Sequence, residues 1–323
     1  MFGAYRLILA SIVALSHVGL TLRGFNPGQW SVVCFYVLSG FLMERQFHKL
    51  APAGGIRAFY LDRLLRIFPV YFTVTLLCSF FFATNWIDTV LNFSLLPLNF
   101  AQEMHVPIYV GPAWSLACEA QFYLLVPWLA LTSTRVLRLL LALSLTFFAV
   151  SVFSSDTGLW AYRLPPGIFF TFLSGMLINR REWPTLYLAY GFIAFLWLIF
   201  ASLKLLSINL LTGIHINVCL GYFVAIPATA TLSRLSPKVA WDQFLGLFSY
   251  PLFLIHMLVL DLCQAHLTGP VMGKFIALSL LAAAALVVVV EKPFDLIRYR
   301  VRKSKSIISS AQKAPSPNGP SRI

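Results

Sequence analysis

Charge is scarce in this chain, and acidic charge scarcest of all: 11% of the 323 residues are charged, with 11 Asp and Glu against 24 Lys and Arg. A water-soluble globular domain carries about a quarter charged residues, so that class is excluded. Cysteine is sparse as well. Cys34, Cys78, Cys118, Cys219 and Cys263 stand singly within apolar runs, with no CxxC pair and no Cys/His ligand spacing. That pattern argues against a disulfide framework and against a metal centre, and no metal is expected. The first apolar segment lacks the strongly basic start and small-residue cleavage site of a signal peptide, so it is read as part of the working protein. There is no repeat of fixed period and no second, soluble domain.

What the chain has in abundance is oil. Hydrophobic residues make up 59% of it, and the mean hydropathy is +0.82. Apolar runs of membrane-crossing length fall near 4–22, 29–47, 67–84, 113–131, 137–154, 164–179, 185–202, 213–233, 243–264 and 271–290. The expected fold is therefore all-α, a polytopic transmembrane helical bundle of about ten spans. With both termini cytoplasmic, every Lys and Arg except Arg23, Arg163, Lys204 and Lys274 falls on the inner side, as the positive-inside rule asks. The net charge of +13 is then topology plus a basic tail, and nucleic acid is not an expected partner. Residues 1–295 form the transmembrane domain, and 296–323 read as a basic cytoplasmic tail lying on anionic headgroups, its Ser/Pro-rich end expected to be disordered.

Chemistry enters where polar residues interrupt the oil. Arg6 and His17 are 17 − 6 = 11 positions apart, about 20° beyond three helical turns, so they share a face. At ~1.5 Å per residue His17 would lie roughly 16 Å deeper, near the middle of a ~30 Å hydrocarbon layer. Ala10, Ala14 and Gly19 on that side point the face into a bundle. An imidazole there is either functional or a neutral group bonded to a neighbouring carbonyl. Arg63 and Arg66, three apart, can take a phosphate together, or they simply anchor the inner interface. Ser115, Glu119 and Tyr123 recur every four residues, and a carboxylate inside a span implies a protein- or water-lined cavity. Ser249 and His256 lie two turns apart on one face, across Pro251. The Pro- and Gly-containing stretch 85–112 reads as a lid or re-entrant element. Ser39-Gly40 reads as a packing notch, His215 as an interfacial histidine, and Glu291 as a partner for an inner arginine.

In order along the chain these pieces are Arg6…His17, Phe35-Tyr-Val-Leu-Ser-Gly-Phe-Leu, Arg63-x-x-Arg66-Ile-x-Pro69-x-Tyr71, Trp114-Ser-Leu-x-x-Glu119-x-Gln-Phe-Tyr123, Ser249-Tyr250 through His256, and Glu291-x-Pro293. Their order and spacing resemble the acyltransferase 3 family of integral membrane acyltransferases. Ala120 departs from the pattern, standing where the family often has a second acid. The resemblance implies a multi-pass protein of the cell membrane, the bacterial inner membrane foremost. It implies transfer of an acyl group, usually acetyl, from cytoplasmic acetyl-CoA or another acyl-CoA to a hydroxyl of an exported or lipid-linked polysaccharide. The expected partners are that glycan or lipid-linked sugar, membrane lipids and glycan-assembly proteins. Arg6, Arg63 and Arg66 would hold the CoA phosphates. His17 would act as base or acyl relay, Glu119 would orient an imidazole or bind the sugar, and Tyr123, Ser249 and His256 would bind the acceptor or the developing oxyanion. A secondary transporter with a buried His/Glu/Arg relay is the alternative, though the sequence shows no inverted repeat. A third reading, a non-catalytic subunit of a glycan-assembly complex, predicts no acyl-CoA binding.

Overall fold

The computed structural model describes residues 2–51, 55–82, 85–206, 213–235, 239–266 and 271–299. Among these, helix accounts for nearly all regular structure, and the only β pairing is an isolated bridge between Leu22 and Phe25. In chain order the helices are α1 Phe2–Ser16, α2 Pro27–Leu50, α3 Gly55–Phe82, α4 Trp86–Ser94, α5 Ala113–Leu131, α6 Thr134–Val150, α7 Pro165–Asn179, α8 Trp183–Leu205, α9 Gly213–Leu235, α10 Ala240–His266 and α11 Val271–Leu286.

Six helical stretches are long and apolar enough to cross a membrane: α3, α8 and α9, α6 with its following turn, and the stretches Ala240–Ala265 and Met272–Tyr299. This is a multi-pass membrane protein. α2 and α5 are long but fall short on composition, and the reason is their place in the bundle. Most of α2 is buried, including Ser31, Ser39 and Glu44, and α5 buries Ser115. A helix wrapped by other helices can carry polar side chains that a lipid-facing one cannot.

Two helix boundaries differ from the sequence reading, and both move candidate residues. α1 was expected to run to 22, but it closes at Ser16. Gly19 sits at φ +98°, the Leu20 N–H reaches back to the Leu15 carbonyl at 3.1 Å, and the Gly19 N–H reaches Ser16 at 3.4 Å. This is a glycine-terminated helix cap, so Gly19 ends the helix where it was expected to pack within it. His17 consequently lies in the closing turn of a 15-residue helix, not midway along a longer one. α3 was expected to begin near 67, yet it starts at Gly55. Charges depress hydropathy without opposing helix formation, and Arg63 and Arg66 are thus interior to the helix.

Close backbone contact fixes α2 against α7. A Cβ on Gly40 would overlap the Phe172 carbonyl, and one on Gly175 would overlap the Val37 carbonyl, so each helix presents its notch to the other's backbone. Gly40→Ala is expected to destabilise the protein by about 1–3 kcal/mol through overpacking. A lowered melting temperature of the detergent-purified protein checks this.

α1 and α10 run parallel in register. The Asp242 carboxylate accepts the Gly3 N–H at 3.1 Å and the Ala4 N–H at 2.9 Å, capping the start of α1 from the neighbouring helix. Fourteen residues further along both chains, the rings of His17 and His256 lie 5.3 Å apart. α11 then returns, and a π-helical turn at Val287–Glu291 brings Glu291 into an ion pair with Arg66 of α3. Helix continues through residue 299, and Arg298 approaches Asp62 at 3.5 Å. The expected tail boundary at 295 therefore falls within a helix, and residues 300–323 lie outside those described.

The stretch 85–112 is built around Asn92. Its carbonyl accepts from Tyr71 of α3, its Oδ1 accepts the Tyr109 N–H at 2.8 Å, and its Nδ2 donates to the Pro107 carbonyl at 2.8 Å. Gln121 of α5 donates to Leu96 O at 2.8 Å and to Asn99 Oδ1 at 2.9 Å. The stretch is thus tied to α3 and α5 by buried polar groups. At the opposite end of α5, the wholly buried Glu44 pairs with Arg180 at 2.5 Å. Arg180 also donates to the carbonyls of Leu129, Ala130 and Thr132, capping α5.

Candidate active site

Five helices line one cavity of about 120 Å³. α1 contributes Arg6, α2 Tyr36 and Ser39, α3 Arg63 and Arg66, α5 Ser115, Glu119 and Tyr123, and α10 Ser249, Tyr250 and Phe253. Six of the eight residues singled out from sequence, namely Arg6, Arg63, Arg66, Glu119, Tyr123 and Ser249, thus meet on one wall system.

Each charge in the cavity has a distinct setting. The Glu119 Oε1 accepts from the Ser39 hydroxyl at 2.6 Å and from the Tyr123 hydroxyl, so one carboxylate oxygen is pinned by donors from α2 and α5. Arg63 pairs with Asp62, its neighbour in the chain, and its Nη1 lies 3.3 Å from Met43 Sδ. Arg66 pairs with Glu291, and its guanidinium stands over the Tyr250 ring at 5.8 Å. Arg6 Nε is buried and has no hydrogen-bond partner among the described residues. The two cations expected to clamp a phosphate therefore already hold carboxylates, while Arg6 keeps a donor open. Among the described residues, Ser249 makes only a long bond to the Gly246 carbonyl, at 3.4 Å.

His17 and His256 do not line this cavity. They meet each other instead, and Phe253 stands between them and the arginines, its ring 6.3 Å from His256 and 5.7 Å from Phe35. Phe35 and Phe253 both face the cavity. His256 is wholly buried, whereas His17 is open on the side away from it. Arg6 and His17 do share a face, both meeting α10, one at Gly246 and the other at His256.

Residues 4–290 match the family model of the acyltransferase 3 domain, described as an acyltransferase domain. The chain belongs to the acyltransferase 3 family. A protein of Aquifex aeolicus (strain VF5), named only as an uncharacterized protein, is 28% identical over 207 residues, which is 60% of this chain and 91% of that one. No solved structure matches. The matched stretch takes in every residue that lines the cavity of this acyltransferase and stops one residue before Glu291.

Ser39 is the site residue that sequence reasoning missed in the acyltransferase. Read with Gly40 as a notch, it was assigned to packing, and the notch is real. One residue along a helix turns about 100°, so Gly40 meets α7 while Ser39 faces Glu119. Glu291 does pair with an arginine, Arg66, as its position suggested. His215 is corrected from interfacial to core. It is wholly buried between the rings of Phe148 and Phe200, each 4.9 Å away, with Nε2 2.9 Å from the Ser151 hydroxyl. It ties the start of α9 to the end of α6.

Proposed function

We propose that this acyltransferase moves an acyl group, acetyl foremost, from cytoplasmic acyl-CoA to a hydroxyl of an exported or lipid-linked polysaccharide in the bacterial inner membrane. The observation that carries this reading is the convergence of three guanidiniums with a hydrogen-bonded carboxylate in one cavity within the bundle. Arg6, with its open Nε, meets the donor's phosphates first. Arg63 and Arg66 then exchange Asp62 and Glu291 for phosphate oxygens, which arginine grips through two parallel N–H bonds.

The ten-span arrangement with both termini cytoplasmic belongs to the same proposal. α1 and α10 run parallel, and Glu291 at the end of α11 returns to Arg66 on the side where α1 begins. An even number of crossings accounts for that return, with α4 and the stretch around it remaining on the outer face. α1 and α7, at 15 residues each, are about 22 Å long, so they cross only where neighbouring helices shelter their ends.

Arg6 and His17 are roughly 16 Å apart along the helix, a span the extended donor bridges by displacing the Phe35–Phe253 contact. At His17 the acceptor oxygen attacks the thioester carbonyl while the imidazole takes the hydroxyl proton; the C–S bond then breaks, the imidazolium returns that proton to sulfur, and CoA leaves as the thiol. The thioester makes the transfer favourable, so orientation and proton transfer are the protein's task.

Binding of labelled acetyl-CoA to the protein in lipid nanodiscs tests the donor assignment. Replacing both Arg63 and Arg66 by alanine is expected to weaken binding tenfold or more, since a hydrogen bond to a charged group contributes about 1.5–3 kcal/mol. Unchanged binding, or solute flux into liposomes without any thioester, overturns the proposal in favour of a carrier or a non-catalytic subunit.

A further inference from the structure

His256 has one ring nitrogen committed and one left over. Nδ1 lies 3.2 Å from the Leu252 carbonyl, which can only accept, so Nδ1 carries the proton. That assignment leaves Nε2 as a bare lone pair. It is buried and has no hydrogen-bond partner among the described residues. A buried acceptor without a donor costs free energy, and one held in a fixed tautomer by its own helix has been given a direction.

The ring it faces is that of His17, at 5.3 Å between centroids and 37° between planes. An in-line N–H···N contact between two imidazoles fits at about that separation. His17 lies in the closing turn of α1, open on its far side, so its ring can turn to make the contact. The parallel register of α1 and α10, set where Asp242 caps α1, fixes the height at which the two rings meet.

We propose that His256 is a positioning residue for His17: its Nε2 accepts the N–H of the His17 ring and holds the other His17 nitrogen, lone pair outward, toward the acceptor hydroxyl. When His17 takes the acceptor's proton, the imidazolium keeps a hydrogen bond to His256, which spreads the new charge inside a dry site. The inference rests on the reading of His17 as the base. It changes the role of His256 from a contact with the acceptor to a support behind the base.

Two substitutions separate this role from a purely structural one. His256→Asn keeps an amide at the position of Nδ1, able to donate to Leu252, but reaches no further. His256→Gln places an amide oxygen at the position of Nε2. The proposal expects His256→Asn to lower kcat about a hundredfold, the scale of a misplaced catalytic group, and His256→Gln to recover most of the loss, with the KM for acyl-CoA unchanged in both. A role in holding α10 through Leu252 predicts the reverse ranking, and that ranking overturns the proposal, as do two variants with full activity. Nitrogen-15 NMR of the histidine-labelled wild-type protein reads the same point without a variant: a resting His256 protonated at Nε2 overturns it. His17→Ala distinguishes the failures. Undiminished transfer in that variant sinks the reading of His17 as the base, whereas loss of transfer there with normal His256→Asn activity sinks only the support role.

Discussion

Replacing His17 by alanine is expected to lower acyl transfer by about 10²- to 10⁴-fold, the range that a positioned general base contributes. The binding constant for acyl-CoA should stay within about twofold, because His17 stands beyond Phe253 and outside the arginine-lined cavity, and twofold is well under 1 kcal/mol. Transfer to acceptor and equilibrium binding of labelled acetyl-CoA, measured on the same nanodisc preparation, give the two quantities separately. Full transfer by the variant removes His17 from the mechanism. Lost binding would instead make the imidazole a binding contact for the donor.

The second large effect is on stability. Arg180→Ala is expected to cost about 3–5 kcal/mol, the scale on which breaking a buried ion pair by deleting one partner acts. Glu44, wholly buried, would retain only the Asn179 amide at 3.2 Å and the distant His48 ring at 4.0 Å. The carbonyls of Leu129, Ala130 and Thr132 at the end of α5 would lose their donor at the same time. Thermal unfolding in detergent measures the loss, and pairing Arg180→Met with Glu44→Gln should return part of it by removing the stranded charge. A melting temperature unchanged in Arg180→Ala would mean that the pair contributes nothing net.

Most helix positions were legible from apolar runs, and the stretch over α5 was read to the residue. The reading failed at α1 and α3 for opposite reasons. Gly19 ends a helix by its backbone conformation, which hydropathy does not register. Arg57, Asp62 and Arg63 lower hydropathy inside a helix they do not interrupt. The candidate site was legible in its membership and not in its partition. Residue type and spacing picked out Arg6, Arg63, Arg66, Glu119, Tyr123 and Ser249, which do converge. That Ser39 would reach Glu119 across eighty positions, or that Phe253 would part His256 from the arginines, depends on how helices distant in sequence pack.

The walls of the cavity fall into stiff units. α2 and α7 touch through backbone at Gly40 and Gly175, which locks the two helices at that crossing. α1 hangs from α10 by the Gly3 and Ala4 amides on Asp242, so those helices shift as one piece. Ser39 belongs to the first unit and Arg6, Ser249 and Phe253 to the second. Any widening that lets a bulky sugar approach must open as a seam between these two slabs, and that seam is where Phe35 of one rests on Phe253 of the other.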